Sequence, residues 1–446
     1  MSFPITEASP VRFNATLPPS ADVVVVGGGV IGVMTAWFLR EKGLSVVVCE
    51  KGRIAGEQSG RNWGWVRQQG RDPAELPIMV ESLSIWKQLA AKMGDGLGFR
   101  QTGVLYLAKT EREIDGFEAW TVHSRAHQLD TRLLTAAETM GMLKGAVAPW
   151  KGGLYTASDA RAEPWASVPA LAAVAEEMGV AIRESCAVRG LDLADGRVSG
   201  VVTEAGRIAC DHVVVAAGAW SRLFLGAQGI SIPQLSVLAS VAATEPMPEI
   251  FPGNAADDDF AFRRRADGGY SIAPGARHDF FIGRDALASF GVYLPVLRKD
   301  FRSTNFRLSA PKGFPDAWGT PRHWALDRES PFERQRILNP APNRATISEV
   351  QESFAKAFPS LGRPKLKSAW AGMIDSLPDV VPIVDHAPIP GLTIATGMSG
   401  HGFGIGPGMG RVVADLVMGR PVGHDLSRFR LSRFSDGSRI EPGPSL

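Results

Sequence analysis

Residues 23–51 read VVVVGGGVIGVMTAWFLREKGLSVVVCEK, and this stretch decides the fold of the first part of the chain. The valine run predicts a buried parallel strand, and the glycines after it open a helical stretch that ends near Gly43. A second apolar run then ends at Glu50. Strand, turn, helix and strand within about 30 residues are typical of a β-α-β unit. The sequence therefore predicts an α/β protein.

The glycine turn has the spacing of a dinucleotide-binding loop. Gly27, Gly29 and Gly32 form a G-x-G-x-x-G pattern. The first glycine permits a tight turn, the second lets backbone approach a pyrophosphate, and the third allows the helix to pack closely on the strand. Glu50, at the end of the next strand, can accept hydrogen bonds from ribose hydroxyls and argues against a 2′-phosphate. A glycine turn in an unrelated α/β fold is the alternative.

Composition and charge exclude several classes of protein. The 446 residues include 48 Lys plus Arg and 46 Asp plus Glu, for a formal charge of +2. Beyond Arg263–Arg265 there is no long basic tract, so we expect no nucleic-acid partner. Three cysteines without C-x-x-C spacing indicate neither a zinc site nor a disulfide framework, and no metal is expected. The first residues lack a signal-peptide pattern, so we expect a cytoplasmic protein, either free or peripheral to the inner face of the membrane.

A second glycine cluster lies far along the chain. Residues 397–408 read GMSGHGFGIGPG, after a predicted strand and before a predicted helix. Backbone N–H groups at such a helix start would stabilise negative charge on a flavin ring. A flexible loop is the alternative, but it explains poorly why the cluster stands between a strand and a helix. A third segment, DHVVVAAGAWS at 211–221, is a strand and turn of low specificity by itself.

Together the three segments resemble the D-amino-acid oxidase/sarcosine oxidase (DAO) family of FAD-dependent oxidoreductases. The resemblance covers essentially the whole chain, through 23–51, 213–221 and 397–417. It implies a Rossmann-type, glutathione-reductase-like FAD domain that is discontinuous in sequence, plus a substrate domain with a mixed or antiparallel sheet. We expect FAD-domain segments at 1–95, 151–235 and 351–446, the last with the C-terminal tail, and substrate-domain segments at 96–150 and 236–350.

The resemblance also implies which residues bind the cofactor. Some members attach FAD through a cysteine or an early histidine, but this chain has no histidine between 51 and 70 and no cysteine beyond 210. We therefore expect non-covalent FAD. The assigned residues are Gly27, Gly29, Val30, Ile31, Gly32, Glu50, Lys51, Ser59, Gly60, Arg61, Asn62, Val188, Ala217, Gly218, Trp220, Gly372, Gly400, His401, Gly402, Phe403 and Gly404.

The substrate end departs from the family pattern. Amino-acid-specific members carry an arginine in a G-x-R-P-x-T-P-D motif, and that place falls here near Met373 or Ile374. Sarcosine oxidases often carry a lysine directly after G-H-G-F, where this chain has Gly404. Either another cation replaces these carboxylate anchors, with Arg67 and Arg263 as candidates, or the carboxylate does not lie at the reacting end.

Five further side chains are candidates for the pocket. Trp63 and Trp65 can wall the flavin or the substrate, with ordinary core packing as the alternative. Tyr270 can cap the pocket or simply pack within its strand. Asp375 can meet a cationic amine or be a solvated loop carboxylate. His401 is expected to belong to the flavin loop rather than to act as a general base.

The resemblance implies oxidation of a C–N bond in a primary or secondary amine or amino acid. Hydride passes to flavin N5 and the imine then hydrolyses. A rough match puts Phe281 where oxidases carry a lysine near N5, which favours a dehydrogenase that feeds a quinone or another electron acceptor. An FAD-dependent hydroxy-acid or polyol dehydrogenase is one alternative. The flavin subunit of a hetero-oligomeric dehydrogenase is another, and a homo-oligomer is left open.

Overall fold

The computed structural model describes residues 3–300, 304–441 and 443. Its strands are β1 (Val23–Val26), β2 (Val46–Cys49), β3 (Trp65–Val66), β4 (Arg100–Gln101), β5 (Val104–Ala108), β6 (Thr131–Thr135), β7 (Gly152–Thr156), β8 (Ala160–Arg161), β9 (Ala181–Arg183), β10 (Val188–Ala194), β11 (Arg197–Thr203), β12 (Gly206–Ala209), β13 (His212–Val215), β14 (Leu235–Thr244), β15 (Asn254–Ala256), β16 (Ala261–Arg264), β17 (Tyr270–Ala273), β18 (His278–Phe281), β19 (Thr304–Arg307), β20 (Leu366–Ser376), β21 (Ile383–His386) and β22 (Leu392–Thr396). Its α-helices are α1 (Val30–Glu41), α2 (Gln58–Arg61), α3 (Leu76–Met93), α4 (Glu111–Ala126), α5 (Ala136–Met142), α6 (Pro164–Glu177), α7 (Ser221–Ala227), α8 (Arg284–Ala288), α9 (Phe290–Asp300), α10 (Pro331–Arg334), α11 (Arg344–Ala357) and α12 (Gly402–Val417).

The first region is a six-stranded sheet in the order β21-β22-β13-β1-β2-β9. Strand β1 pairs in parallel with β2 and β13, and β21 runs antiparallel at the edge. Val23 and Val25 pack among helices α1, α3, α6 and α12 on one face. Val24 and Val26 face the small antiparallel sheet β10-β11-β12 and α7. Burial on both faces explains the uninterrupted valine run, and the predicted Rossmann-type domain is confirmed.

The second region is a ten-stranded sheet in the order β19-β18-β14-β17-β16-β15-β5-β7-β6, with β20 beside β14. Most of its pairs are antiparallel, but β15 with β5 and β18 with β19 are parallel, so the sheet is mixed, as predicted. Strand β20 pairs with β14 along its whole length, from Ser376 opposite Leu235 to Leu366 opposite Thr244. This long pairing places the end of β20 next to the parallel sheet.

The large sheet extends beyond the predicted segment ends at 150 and 350. Strand β7 adds residues 152–156 and β20 adds residues 366–376. Helix α11 also belongs to this region, because Phe354 packs in the aromatic core with Phe262 and Tyr270. Helix α11 begins at Arg344, and the amphipathic periodicity of a helix does not say which sheet the helix covers.

Two features concern membranes and metals. In the part of the chain that the structure describes, no helix combines the length and apolar character needed to cross a bilayer. The same residues contain no group of three or more His, Cys, Asp or Glu side chains placed to hold a metal ion.

Candidate active site

One cavity of about 1060 Å³ runs from the parallel sheet into the large sheet. It opens at the carboxyl ends of the parallel strands, where Gly27 follows β1, Glu50 follows β2 and Ala216 follows β13. Ligands of α/β sheets bind at this edge. The other end is lined by β5, the start of α4 and β14.

The glycine turn forms a cradle that only a bare backbone permits. Gly27 has φ +111°, a conformation that side chains disfavour. A Cβ on Gly32 would lie 2.0 Å from the Gly27 carbonyl oxygen, so helix α1 could not approach the turn. Ser59 closes the cradle from the other side, where its Oγ accepts a hydrogen bond from the Val30 N–H at 2.9 Å. The cradle therefore leaves room for a pyrophosphate at the start of α1.

Glu50 fixes the two loops that flank the nucleotide end. Its carboxylate oxygens accept hydrogen bonds from the Gly28 and Gly52 N–H groups, both at 2.7 Å. Burial raises the pKa of Glu50 to about 7, against the opposing effects of Lys51 and these two N–H groups. The Lys51 ammonium bonds Glu57 at 2.9 Å and lies 4.3 Å from the centre of the Trp220 ring.

Nearly all predicted cofactor residues line this cavity. The residues that do are Gly27, Gly29, Val30, Ile31, Glu50, Lys51, Ser59, Arg61, Asn62, Val188, Ala217, Gly218, Trp220, Gly372, Gly400, His401, Gly402, Phe403 and Gly404. Gly32 and Gly60 lie just behind the wall, where they permit close backbone approach. A Cβ on Gly60 would lie 2.2 Å from the Ala55 carbonyl oxygen.

Arg61 lines the cavity, but its guanidinium holds the surrounding loops together. It donates to the carbonyl oxygens of Gly56, Ala371 and Ile5 at 2.8 to 3.0 Å. A fourth bond goes to Asn339 Oδ1 at 2.8 Å. Arg61 therefore ties the nucleotide loop to β20 and to the N-terminal arm.

Asp375 is buried near the end of β20 rather than solvated in a loop, with 2% of its surface exposed. Its Oδ2 accepts hydrogen bonds from the Gly397 N–H at 2.8 Å and from Gln234 Nε2 at 3.0 Å. Among the described residues its Oδ1 has no hydrogen-bond partner. Burial raises the pKa of Asp375, and the Gly397 N–H opposes that rise. The carboxyl group anchors the second glycine loop to the large sheet.

An aromatic chamber forms the far end of the cavity. Trp63, Trp65, Tyr106 and Phe117 line it, with ring centres 5.4 Å apart for the two tryptophans and 6.2 Å apart for Trp65 and Tyr106. The Trp65 Nε1–H is buried and has no acceptor among the described residues. Such a donor costs free energy unless a ligand supplies an acceptor.

Arg67 brings a positive charge into this chamber. Its guanidinium lies 5.7 Å from the Tyr106 ring centre and donates to the Gln69 carbonyl oxygen. None of the described carboxylates forms an ion pair with Arg67. A half-buried guanidinium without a carboxylate partner is suited to bind an anionic ligand.

His401 caps the start of α12 beside the chamber. Its Nδ1 lies 3.4 Å from Glu75 Oε2, and Glu75 is fully buried. Burial lowers the pKa of His401, although Glu75 raises it. The imidazole is therefore neutral near pH 7, which agrees with its expected place in the flavin loop.

Two of the predicted pocket residues lie outside the cavity. Arg263 is 1% exposed and forms a two-pronged ion pair with Glu163 at 2.9 and 3.0 Å. The Tyr270 hydroxyl donates to the Phe251 carbonyl oxygen at 3.2 Å and accepts from the Ile250 N–H at 2.9 Å. Both side chains meet their own partners outside the cavity, so neither is available to a substrate.

Phe281 also lies outside the cavity, in a buried apolar cluster with Leu238 and Phe314. Phe281 therefore does not form part of the cavity wall. Sequence reasoning missed Tyr106, Arg71, Glu75 and the start of α4. Arg67 and Arg71 lie in the loop between β3 and α3 and Tyr106 lies in β5, so no local periodicity joined Arg71 or Tyr106 to the site.

A parallel sheet with a glycine cradle, joined by one cavity to an aromatic chamber, fits a flavin-dependent oxidoreductase. The model of the family described as FAD dependent oxidoreductase (DAO) matches residues 22–416, and the chain belongs to this family. The predicted resemblance is thereby confirmed. FAD is the cofactor, and the cradle at Gly27 and Gly32 fits its pyrophosphate.

Known relatives cover nearly the whole chain. The sarcosine oxidase subunit beta of Rhizobium meliloti is 26% identical over 430 residues, which cover 95% of this chain and 90% of that protein. The L-amino acid deaminase from Proteus myxofaciens, solved in complex with anthranilate, is 31% identical with a TM-score of 0.91, and covers 96% of this chain and 97% of that one. The L-proline dehydrogenase from P. horikoshii has a TM-score of 0.77 at 24% identity, with 95% of this chain and 100% of that chain covered.

Proposed function

We propose that this protein oxidises the C–N bond of an α-amino acid whose carboxylate is held by Arg67. The observation that carries the proposal is the unneutralised guanidinium at the aromatic end of the cavity. Charge-assisted hydrogen bonds to a carboxylate would satisfy it. The buried Trp65 Nε1–H supplies a further donor nearby.

The chain's own residues bind, orient and exclude water. Bound FAD supplies the hydride acceptor. Arg67 fixes the acid end of the substrate, so the carbon that bears the nitrogen is held at a constant place in the chamber. Trp63, Tyr106 and Phe117 remove bulk water from it. Because burial lowers the pKa of His401, its imidazole adds no positive charge to this wall of the cavity at neutral pH.

The chamber favours an amino acid with an apolar or aromatic side chain. Its walls are aromatic, and Ala239, Val241 and Ala256 on the large sheet add small apolar surfaces. One relative is named glycine oxidase, and two solved structures are of proteins named L-amino acid deaminase. Likeness to the deaminases over the whole chain supports the L configuration for this protein.

One observation supports a dehydrogenase that passes electrons to a quinone or another acceptor. Among the described residues, Lys51 is the lysine that lines the cavity, and it lies at the nucleotide end. The chamber therefore lacks the lysine that the resemblance associates with oxidases. Relatives named sarcosine oxidase subunit beta support a second arrangement, in which this chain works with a partner subunit.

Anaerobic flavin reduction tests the reaction class. Purified protein is mixed with L- and D-amino acids, with the amines that lack the carboxylate, and with 2-hydroxy acids, and the flavin absorbance is followed. Bleaching by amino acids but by neither other group supports the proposal, and re-admitted air then separates oxidase from dehydrogenase. Bleaching by hydroxy acids alone would contradict it. A chain that copurifies and is needed for turnover would show the partner subunit.

A further inference from the structure

A second arginine reaches the chamber from the same loop. Arg71 is 1% exposed and lines the cavity. Its Nε–H donates to the Arg67 carbonyl oxygen at 3.1 Å, Nη1 to Glu75 Oε2 at 3.4 Å, and Nη2 to the His401 carbonyl oxygen at 2.9 Å. A guanidinium has five N–H donors in a fixed planar fork. Three of them have partners in these contacts, so two remain for a ligand in the cavity.

Arg67 and Arg71 lie near two carboxylates, Glu75 and Asp159. Burial, and to a smaller extent the neighbouring Arg67, lowers the pKa of Arg71 to about 10, while Glu75 opposes this. Glu75 is the described carboxylate that forms an ion pair with Arg71. Asp159 lies near Arg67 as well, but its oxygens accept the Gln68 and Gln69 N–H groups and it makes no ion pair with the arginine. Among the described residues, Glu75 is thus the one carboxylate that forms an ion pair with either arginine, and a ligand carboxylate would give the remaining guanidinium donors a charged partner.

Gly404 explains how Arg71 fits. A Cβ on Gly404 would lie 3.3 Å from Arg71 Nη2, 3.1 Å from the Val66 Cα and 3.2 Å from the Trp65 carbonyl oxygen. A side chain at this position would therefore compete with the guanidinium for space. Sarcosine oxidases, which this chain resembles, often carry a lysine at the position of Gly404.

We propose that Arg71 is the second anchor of the substrate carboxylate, that it occupies the space left by Gly404, and that Glu75 is the positioning residue that holds it there. This inference rests on the proposed function. The anchor that is absent from α12 is supplied instead by the loop before α3, whose Arg71 lies directly beside Gly404. Two guanidinium groups, rather than one, then select a carboxylate over a neutral amide.

Equilibrium binding to the FAD-loaded protein tests the inference without turnover. Anthranilate carries the carboxylate, and 2-aminobenzamide is its neutral counterpart. In Arg71→Gln, the Kd of anthranilate should rise about 30-fold, because charge-assisted hydrogen bonds are lost. The Kd of 2-aminobenzamide should stay within about threefold. Arg71→Lys keeps the charge without the fork and should raise the Kd of anthranilate about fivefold.

Glu75→Gln should also reduce the preference for anthranilate over the amide, because the Arg71 guanidinium then loses the carboxylate that holds it in position. Arg263→Lys is the matched control, since it alters a buried arginine outside the cavity and should keep that preference. Calorimetry or the flavin spectrum reports each Kd, and flavin absorbance checks that FAD is retained.

The inference would be overturned if the ratio of the Kd values of 2-aminobenzamide and anthranilate were the same in Arg71→Gln as in the wild type. If that variant fails to bind FAD, Arg71→Lys decides instead, and a wild-type Kd for anthranilate in it would overturn the inference. The proposed function fails separately: wild-type protein would then bind neither compound and would not be reduced by any amino acid.

Discussion

The two ends of the cavity are built in different ways. The nucleotide end comes from short, continuous runs in which glycines at fixed spacing meet the ends of parallel strands. The chamber is assembled from β3, the loop before α3, β5, α4 and β14, which lie far apart in the chain. At the first end the backbone itself forms the binding surface, whereas at the second the binding surface is made of aromatic and arginine side chains from separate elements. Local sequence therefore determines one end and tertiary pairing determines the other.

Arg263→Gln tests the distinction between paired and unpaired arginines, and it should have the largest effect. The substitution leaves Glu163 buried without its cation, so the free energy of unfolding should fall by about 3–5 kcal/mol. The folded protein should still prefer carboxylates over amides, because Arg263 lies outside the cavity. Denaturant melts measure the first quantity and ligand binding the second.

Its neighbour Arg264 provides the control, since it bonds the Met247 carbonyl oxygen and has no carboxylate partner among the described residues. Arg264→Gln should change the free energy of unfolding by no more than about 1 kcal/mol. Equal losses of unfolding free energy in the two variants would contradict the claim that the ion pair with Glu163 sets Arg263 apart.

Gly32→Ala tests the nucleotide end. The added Cβ would meet the Gly27 carbonyl oxygen at 2.0 Å, so α1 must move away from the turn. FAD affinity should fall about 100-fold, a change in binding constant that corresponds to the upper range of the free-energy cost of overpacking. Gly226→Ala in α7, where a Cβ meets nothing within 4 Å, should bind FAD like the wild type. Titration of the FAD-free proteins with FAD decides, and equal affinities would contradict the cradle.

Asp375→Asn tests the junction between the two ends. The carboxylate holds the Gly397 N–H and Gln234, and the amide of asparagine replaces one acceptor oxygen with a donor. FAD affinity should fall about tenfold, the size of one lost hydrogen bond to a charged group. Asp385→Asn, which changes an acceptor for the Leu431 N–H outside the cavity, should leave it unchanged. A tenfold loss in both variants would point to general loosening rather than to the junction.

Glu50→Gln tests the nucleotide end through the pH dependence of the stability of the FAD-free protein. The pKa of Glu50 is raised from 4.5 to about 7, so the folded state holds the proton more tightly than the unfolded state. Its contribution to stability is present below pH 4.5 and is lost as the pH rises to about 7. Wild-type stability should therefore fall more steeply than that of Glu50→Gln across this interval. Asp159 and Asp316, whose pKa values are raised to about 6 and about 7, titrate in both proteins, so parallel curves would contradict the assignment.

Sequence reasoning reached the two ends of the cavity unequally, for a physical reason. Gly27 and Gly404 belong to runs whose spacing reflects backbone constraints, so their neighbourhoods could be predicted. Arg263 and Tyr270 looked equally suitable for the pocket, but Glu163 and the backbone near Ile250 satisfy them. No local pattern reports such long-range partners. Tyr106 was missed because an apolar strand predicts burial without predicting which face meets a cavity.

The most direct test of the central claim compares an amino acid with its own carboxamide in the wild type and in Arg67→Gln. The substrate is the amino acid that reduces the wild-type flavin fastest under anaerobic conditions. The wild type should favour the acid strongly, and Arg67→Gln should lower that preference about 100-fold at unchanged FAD content, because a charge-assisted pair is lost in a buried site. An unchanged preference in Arg67→Gln, or equal reduction of the wild type by acid and amide, would contradict the account.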